Sequence, residues 1–182
     1  MESETKIWKE LLGWVFYFLI IFALTYLIIT FIGQRTKVSG SSMETTLSDG
    51  DQLIVDKISF RFREPRRYEI IVFPYQHEED TYYIKRIIGL PGDTLWIADG
   101  VVYVDGEPLE DETYGNEPML NPGIAQEAIT LGEDEYFVLG DNRNHSSDSR
   151  ETSVGVLNRQ DLIGRAWIRI WPLSEFGVIK HE

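Results

Sequence analysis

Apolar residues fall along this chain in two different rhythms. From Leu11 to Ile32 they are almost continuous, LLGWVFYFLIIFALTYLIITFI, with no charged side chain among them. From about Gln34 onward they come in short runs: Gln52–Lys57, Glu69–Phe73, Tyr82–Leu90, Thr94–Ala98, Val101–Val104, Glu135–Leu139 and Leu162–Trp171. These runs are rich in Val, Ile, Tyr, Phe and Trp and are separated by turns containing Gly, Pro or Asp, which is the pattern of antiparallel strands. Asp99-Gly100, between TLWIA and VVYV, reads as a two-residue hairpin turn whose central positions need positive φ. Outside the first stretch there is no helical periodicity, repeat or low-complexity tract. The pattern predicts a mainly β chain: one N-terminal helix, then an antiparallel, partly barrel-like domain.

The continuous stretch is 22 residues long, enough to cross a hydrocarbon core of roughly 30 Å. Trp14, Tyr17 and Tyr26 lie toward its ends, as interfacial anchors do. A cleavable secretory leader is the competing reading, but its apolar region spans only about 7–15 residues. Here the run enters Phe31-Ile32-Gly33-Gln34-Arg35-Thr36-Lys37 without a small-x-small cleavage site. The expectation is a retained anchor over residues 1–35 and a folded domain over 36–182. Lys6 and Lys9 precede the span and Arg35 and Lys37 follow it, so loop charge does not set the orientation.

Charge divides the domain further. Ala98 to Glu135 holds eleven acidic residues and no Lys or Arg, with Pro108, Pro118 and Pro122, and reads as a solvated peripheral insertion over 98–135. Lys57 to Arg67 holds five basic residues against Glu64, suited either to anionic lipid or to solvent. A net charge of −13 without a basic-aromatic surface argues against a nucleic-acid partner. Cysteine is absent, which removes disulfides, thiol nucleophiles and thiolate metal sites. His77, His145 and His181 are not at metal-ligand spacing. Arg143 and Arg150 interrupt the oxygen-rich Asp141, Asn142, Asn144 and Asp148, and the calcium-loop glycine is missing. With no phosphate-cradling glycine loop either, neither metal nor cofactor is expected.

What remains is a lysine in an unusual place. In a strand, Tyr83, Lys85 and Ile87 share one face while Ile84, Arg86 and Ile88 share the other. Lys85 either lies along the sheet with its ammonium in water or is a base kept dry. A lysine of pKa ~10.4 is about 0.1% neutral near pH ~7.5, whereas a two-unit depression makes it roughly 10% neutral at a cost of ~2.7 kcal/mol. A base needs a nucleophile. Val38–Leu47, VSGSSMETTL, supplies serines in a Gly-rich reversal that exposes Oγ and leaves nearby N–H groups free for an oxyanion. Without cysteine or Ser-His-Asp spacing, the pairing open to this chain is a serine–lysine dyad.

Taken together, these segments resemble bacterial type I signal peptidases, membrane-anchored serine proteases that remove signal peptides from exported proteins. The resemblance covers the anchor, Gly40-x-Ser42-Met43-x-x-Thr46-Leu47, Gly50-Asp51, Arg67–Phe73, Tyr83-Ile84-Lys85-Arg86 with Gly89-Leu90-Pro91-Gly92-Asp93, and Gly140-Asp141-Asn142-Arg143 with Ser146, Asp148, Ser149 and Arg150. It implies Ser42 as acyl-enzyme nucleophile and Lys85 as general base. It also implies that the Ser146 hydroxyl orients the amine, that Asp141 and Arg150 support the loop as an ion pair, and that Asp148 is a second structural carboxylate. Met43, Ile84 and Tyr83 are expected to meet substrate, with two shallow pockets for small residues at −1 and −3. The Ser42 N–H is the implied oxyanion donor. By the same resemblance the N-terminus is cytoplasmic, the β domain extracytoplasmic, and the partners are preproteins and the lipid bilayer.

The chain departs from the family pattern in several places. Thr45 stands where the family has proline in S-M-x-P-T-L, and Tyr68-Glu69 where it has Gly-Asp in R-G-D-I-V-V-F. Gly40 stands where some members carry a second oxyanion serine, for which Ser39 or Ser41 is the substitute at hand. Asn144-His145 replaces an Asp-Asn pair, and Glu151-Thr152-Ser153 an aromatic run. His145 is the rival base, and Asn144-His145-Ser146 is a chance glycosylation triplet. An anchored, inactive relative that binds signal peptides or a membrane partner is the competing function, against which stands the retention of both Ser42 and Lys85.

Overall fold

The computed structural model describes residues 2–28, 33–109, 114–115 and 117–181, with side chains from Trp8 onward. The first element is the helix α1, Glu2–Leu27. Its segment Trp8–Leu27 is long and apolar enough to cross a membrane, and no part of it is buried against the protein. A helix apolar all round and packed on nothing has no use for its surface in water. The expected span ended at Ile32, and its last four residues lie outside the described ones.

Twelve strands follow among the described residues: β1 (Gly33–Lys37), β2 (Gln52–Asp56), β3 (Ile70–Pro74), β4 (Tyr82–Gly89), β5 (Thr94–Ala98), β6 (Val101–Val104), β7 (Glu107–Pro108), β8 (Ile129–Thr130), β9 (Glu135–Leu139), β10 (Leu157–Asn158), β11 (Gly164–Trp171) and β12 (Gly177–Val178). The larger sheet runs β1-β2-β11-β3-β4-β9-β10, with β12 beside β11, and the smaller runs β7-β6-β5-β8. Every pairing is antiparallel. The Asp99-Gly100 turn has φ of 51° and 78°, as a primed hairpin turn requires, and Asp105-Gly106 repeats it at 52° and 93°.

β1 was not expected. Its sequence, GQRTK, shows no apolar alternation, yet it pairs residue by residue with β2, so the boundary anticipated at 35/36 falls inside a strand. The acidic segment also differs from its expected character. Val102, Val104, Met119, Ala125 and Leu131 are buried in one cluster with Ile88, Leu95, Phe137 and Leu139. The segment is therefore acidic on its outer surface and part of the core within.

Alternation of side chains across the sheet builds the remaining core. In β3, Ile70 and Val72 join Met43, Leu47 and Ile84 in one cluster, while Ile71 and Phe73 join Ile87 and Val138 in another. β4 is thus buried on both faces and central in its sheet, which is why a cation within it is dry. At its end Gly89 leaves no room for a side chain: an added Cβ would collide with Leu95 and lie 2.7 Å from Leu131 Cδ1.

Candidate active site

Ser42 lies in the segment joining β1 to β2, held by its neighbours on both sides. Met43 and Leu47 are sunk in the core, and the N–H groups of Thr46 and Leu47 both donate to Met43 O, at 2.9 and 2.8 Å. From the loop after β9, the Asn142 N–H donates to Ser42 O at 3.0 Å and Asn142 Nδ2 to Ser41 O at 3.1 Å. Gly40, at φ +90°, donates its N–H to Asp49 Oδ1 at 2.9 Å. The backbone on both sides of Ser42 is therefore fixed before any substrate arrives.

β4 brings Lys85 to this turn. Its Nζ lies 2.8 Å from Ser42 Oγ and 3.0 Å from Ile84 O, and the residue is 4% exposed. The Tyr83 ring centre is 5.0 Å from Nζ. Burial lowers the amine's pKa from 10.5 to about 8, opposed by the carboxylates of Asp148, Asp141 and Glu151. Serine hydroxyl and depressed amine share one hydrogen bond, so the proton on Oγ has an acceptor in place.

Two buried ion pairs stand behind Ser42 and Lys85, and they are not the pair that was expected. Asp141 pairs with Arg86, not with Arg150: Arg86 Nε and Nη2 donate to its two oxygens at 2.8 and 2.7 Å, and both side chains are fully buried. The cause is register, because Arg86 lies opposite Leu139, two residues before Asp141 in the chain. Thr46 Oγ1 donates to the same carboxylate at 2.6 Å, and the Tyr114 ring covers the guanidinium at 3.6 Å. Arg150 pairs instead with Asp148, through Nε at 2.8 Å and Nη2 at 2.9 Å, and Asp148 Oδ2 accepts the Gly140 N–H at 3.0 Å.

Ser146 is placed differently from expectation as well. Its Oγ is buried with no hydrogen-bond partner among the described residues, while Lys85 donates to Ser42 and Ile84. A Cβ on Gly140 would collide with that Oγ and lie 2.5 Å from Ser42 O, so the glycine keeps the two serines close.

The family model described as "Signal peptidase, peptidase S26" matches residues 11–171. The chain belongs to the signal peptidase family, peptidase S26. It is 42% identical over 159 residues to the probable signal peptidase I-2 of Synechocystis, covering 84% of this chain and 70% of that protein. It is 30% identical over 189 residues to the signal peptidase IB of Staphylococcus aureus, covering 96% and 95%. A solved signal peptidase I structure from Enterococcus faecalis V583 is 33% identical with a TM-score of 0.47, over 57% of this chain and 97% of that one. Membership makes the protein a serine protease, a hydrolase of the signal peptidase I kind.

In this signal peptidase a cleft of about 580 Å³ opens beside Ser42 and Lys85, and Val38, Met43, Tyr83 and Ile84 line it. The three residues expected to meet substrate are thus on its wall. Ser39, Ser41 and His145 line it too. His145 donates its backbone N–H to Asn142 O at 3.0 Å. Among the described residues no three His, Asp or Glu side chains converge as a metal-ligand set. Arg86, Thr46 and Asn142 stood in the matched motifs without a role. The signal for Arg86 was available, since a second cation on a buried strand needs a carboxylate partner.

Proposed function

We propose that this peptidase is membrane-anchored and cleaves signal peptides from exported preproteins after small residues, with Ser42 as nucleophile and Lys85 as general base. The observation that supports it best is the 2.8 Å contact between Lys85 Nζ and Ser42 Oγ around a buried amine. Neutral Lys85 accepts the hydroxyl proton as Oγ attacks the scissile carbonyl. The Ser42 N–H stabilises the oxyanion, while the Gly40 N–H is already committed to Asp49. Collapse of the tetrahedral intermediate passes the proton from the ammonium to the leaving amine and leaves an acyl-enzyme on Oγ. Lys85 then takes a proton from water as its oxygen attacks the ester carbon, and returns that proton to Oγ as the second tetrahedral intermediate collapses and frees Ser42.

Ser146 Oγ has no hydrogen-bond partner among the described residues and is a hydroxyl able to accept from the ammonium once Ser42 is acylated. Apolar walls from Val38, Met43 and Ile84 suit small side chains at −1 and −3. The helix α1 is the anchor, with its N-terminus cytoplasmic and the β domain on the opposite side of the bilayer.

The test is cleavage of a precursor bearing an Ala-x-Ala site by the full chain in detergent. Wild type cleaves it at that bond and Ser42→Ala loses at least ~10³-fold in rate while keeping the same thermal midpoint. Equal rates for the two proteins eliminate Ser42, and cleavage that ignores the −1 and −3 residues eliminates the assigned specificity.

A further inference from the structure

The Ser42 N–H does not turn independently. It belongs to one planar, trans peptide unit with the carbonyl of Ser41, in which the oxygen and the hydrogen point in opposite directions. Whatever holds Ser41 O therefore aims the Ser42 N–H. In this chain the holder is Asn142, whose Nδ2 donates to Ser41 O at 3.1 Å. A carbonyl only accepts, so the side-chain amide presents its nitrogen there. The backbone N–H of the same residue donates at 3.0 Å to Ser42 O, the carbonyl of the next peptide unit. One residue thus grips both peptide units that meet at the Ser42 α-carbon.

Asn142 is itself anchored on both sides. Before it, the fully buried Asp141 is gripped by two nitrogens of Arg86. After it, the Arg143 N–H donates to Asp141 O and Arg143 Nε to Gly140 O, each at 3.0 Å. The Asn142 carbonyl accepts the His145 N–H at 3.0 Å. Asn142 is half-buried and does not line the cleft, which sets it behind the Ser41–Ser42 backbone and away from the substrate.

We infer that the Asn142 side chain is the positioning residue of the oxyanion site: by holding Ser41 O it aims the Ser42 N–H and makes it a stronger donor. This rests on the Ser42 N–H being the oxyanion donor of the proposed function. Aim matters because a group misplaced by about 1 Å can cost ~10²-fold in rate. Strength matters because a carbonyl that accepts a hydrogen bond polarises its own N–H, strengthening the next bond in the chain by about 10–30%. Gly40 does not share the task, since it has no side-chain hydroxyl and its N–H is committed to Asp49 Oδ1 at 2.9 Å.

The experiment compares wild type with Asn142→Asp and Asn142→Ala as full chains in detergent. Asp has the shape of Asn and keeps the backbone donor, but its ionised carboxylate only accepts and so repels Ser41 O. In cleavage of the Ala-x-Ala precursor, kcat falls at least ~10-fold in both variants while KM stays within about twofold. The pH midpoint stays near 8, because Lys85 is untouched. Relaxation of the Ser42 amide nitrogen, which requires no cleavage, gives an order parameter that drops from the ~0.85 of rigid backbone toward ~0.6 in both variants. An unchanged kcat, a loss confined to KM, a shifted pH midpoint or an unchanged order parameter overturns the inference. A wild type that cleaves nothing sinks the proposed function instead, and the order parameter then decides alone whether Asn142 holds the peptide unit.

Discussion

Replacing Lys85 by methionine removes the base and, at neutral pH, the cost of drying it. The folded amine titrates near 8 and the free one near 10.5. Between these values the unfolded chain holds a proton the folded chain has released, so wild-type stability rises with pH across that window. Below about pH 8 the penalty is fully present, and the difference of 2.5 units makes it about 3 kcal/mol. Methionine has similar length and does not titrate, but it forfeits the contacts to Ser42 Oγ and Ile84 O, about 1 kcal/mol each. Lys85→Met is therefore inactive yet about 1 kcal/mol more stable than wild type at pH 7. Its advantage then falls by about 3 kcal/mol as pH rises to 10.5. The assay is guanidinium unfolding of both proteins from pH 7 to 10.5, read by tryptophan fluorescence. Taking the difference cancels every other titrating group. A difference that stays flat with pH, or grows, refutes the buried, depressed amine.

The same amine sets the pH profile of catalysis: kcat/KM for precursor cleavage ascends with a midpoint near 8, so the rate at pH 7 is about a tenth of the plateau. An ascending limb that is kept by wild type but vanishes in His145→Asn moves the base to the histidine. Gly140→Ala pushes Ser146 Oγ and Ser42 O apart and lowers kcat at least ~10-fold with the fold intact by circular dichroism; unchanged turnover shows that the spacing does not matter. Arg86→Met strands Asp141 as an unpaired buried carboxylate and costs about 3–5 kcal/mol in denaturant unfolding, and a loss under about 1 kcal/mol means the pair is not buried as described.

Local pattern made the strands visible, and long-range pairing stayed hidden. β4, β5 and β6 coincide with apolar runs because burial demands those residues at those positions. β1 does not, because GQRTK is recruited by the edge of β2 and has no apolar pattern of its own. The acidic segment misled for a related reason: its charge is conspicuous, whereas Val102, Met119 and Leu131 reach the core from separated positions. At the candidate site, Ser42 and Lys85 stood out in their motifs, and the fold brings them to 2.8 Å of each other. The partner of Asp141 was not, because Arg86 and Arg150 are equally good cations by composition and only the β4–β9 register selects between them. The open hydroxyl of Ser146 was likewise out of reach, being a matter of ångströms within one loop.

Lys85 and Arg86 are consecutive in β4, and the first faces Ser42 while the second faces Asp141. A slip of one residue in this strand would move Arg86 into the place of Lys85 and Ile87 into the place of Arg86. A guanidinium would then meet Ser42, and it cannot take up the hydroxyl proton at any pH a protein survives. The same slip would leave the buried Asp141 carboxylate facing Ile87, an apolar side chain that cannot pair with it. The buried pair thus proofreads the alignment of the strand, and only the correctly aligned sheet acquires a proton acceptor.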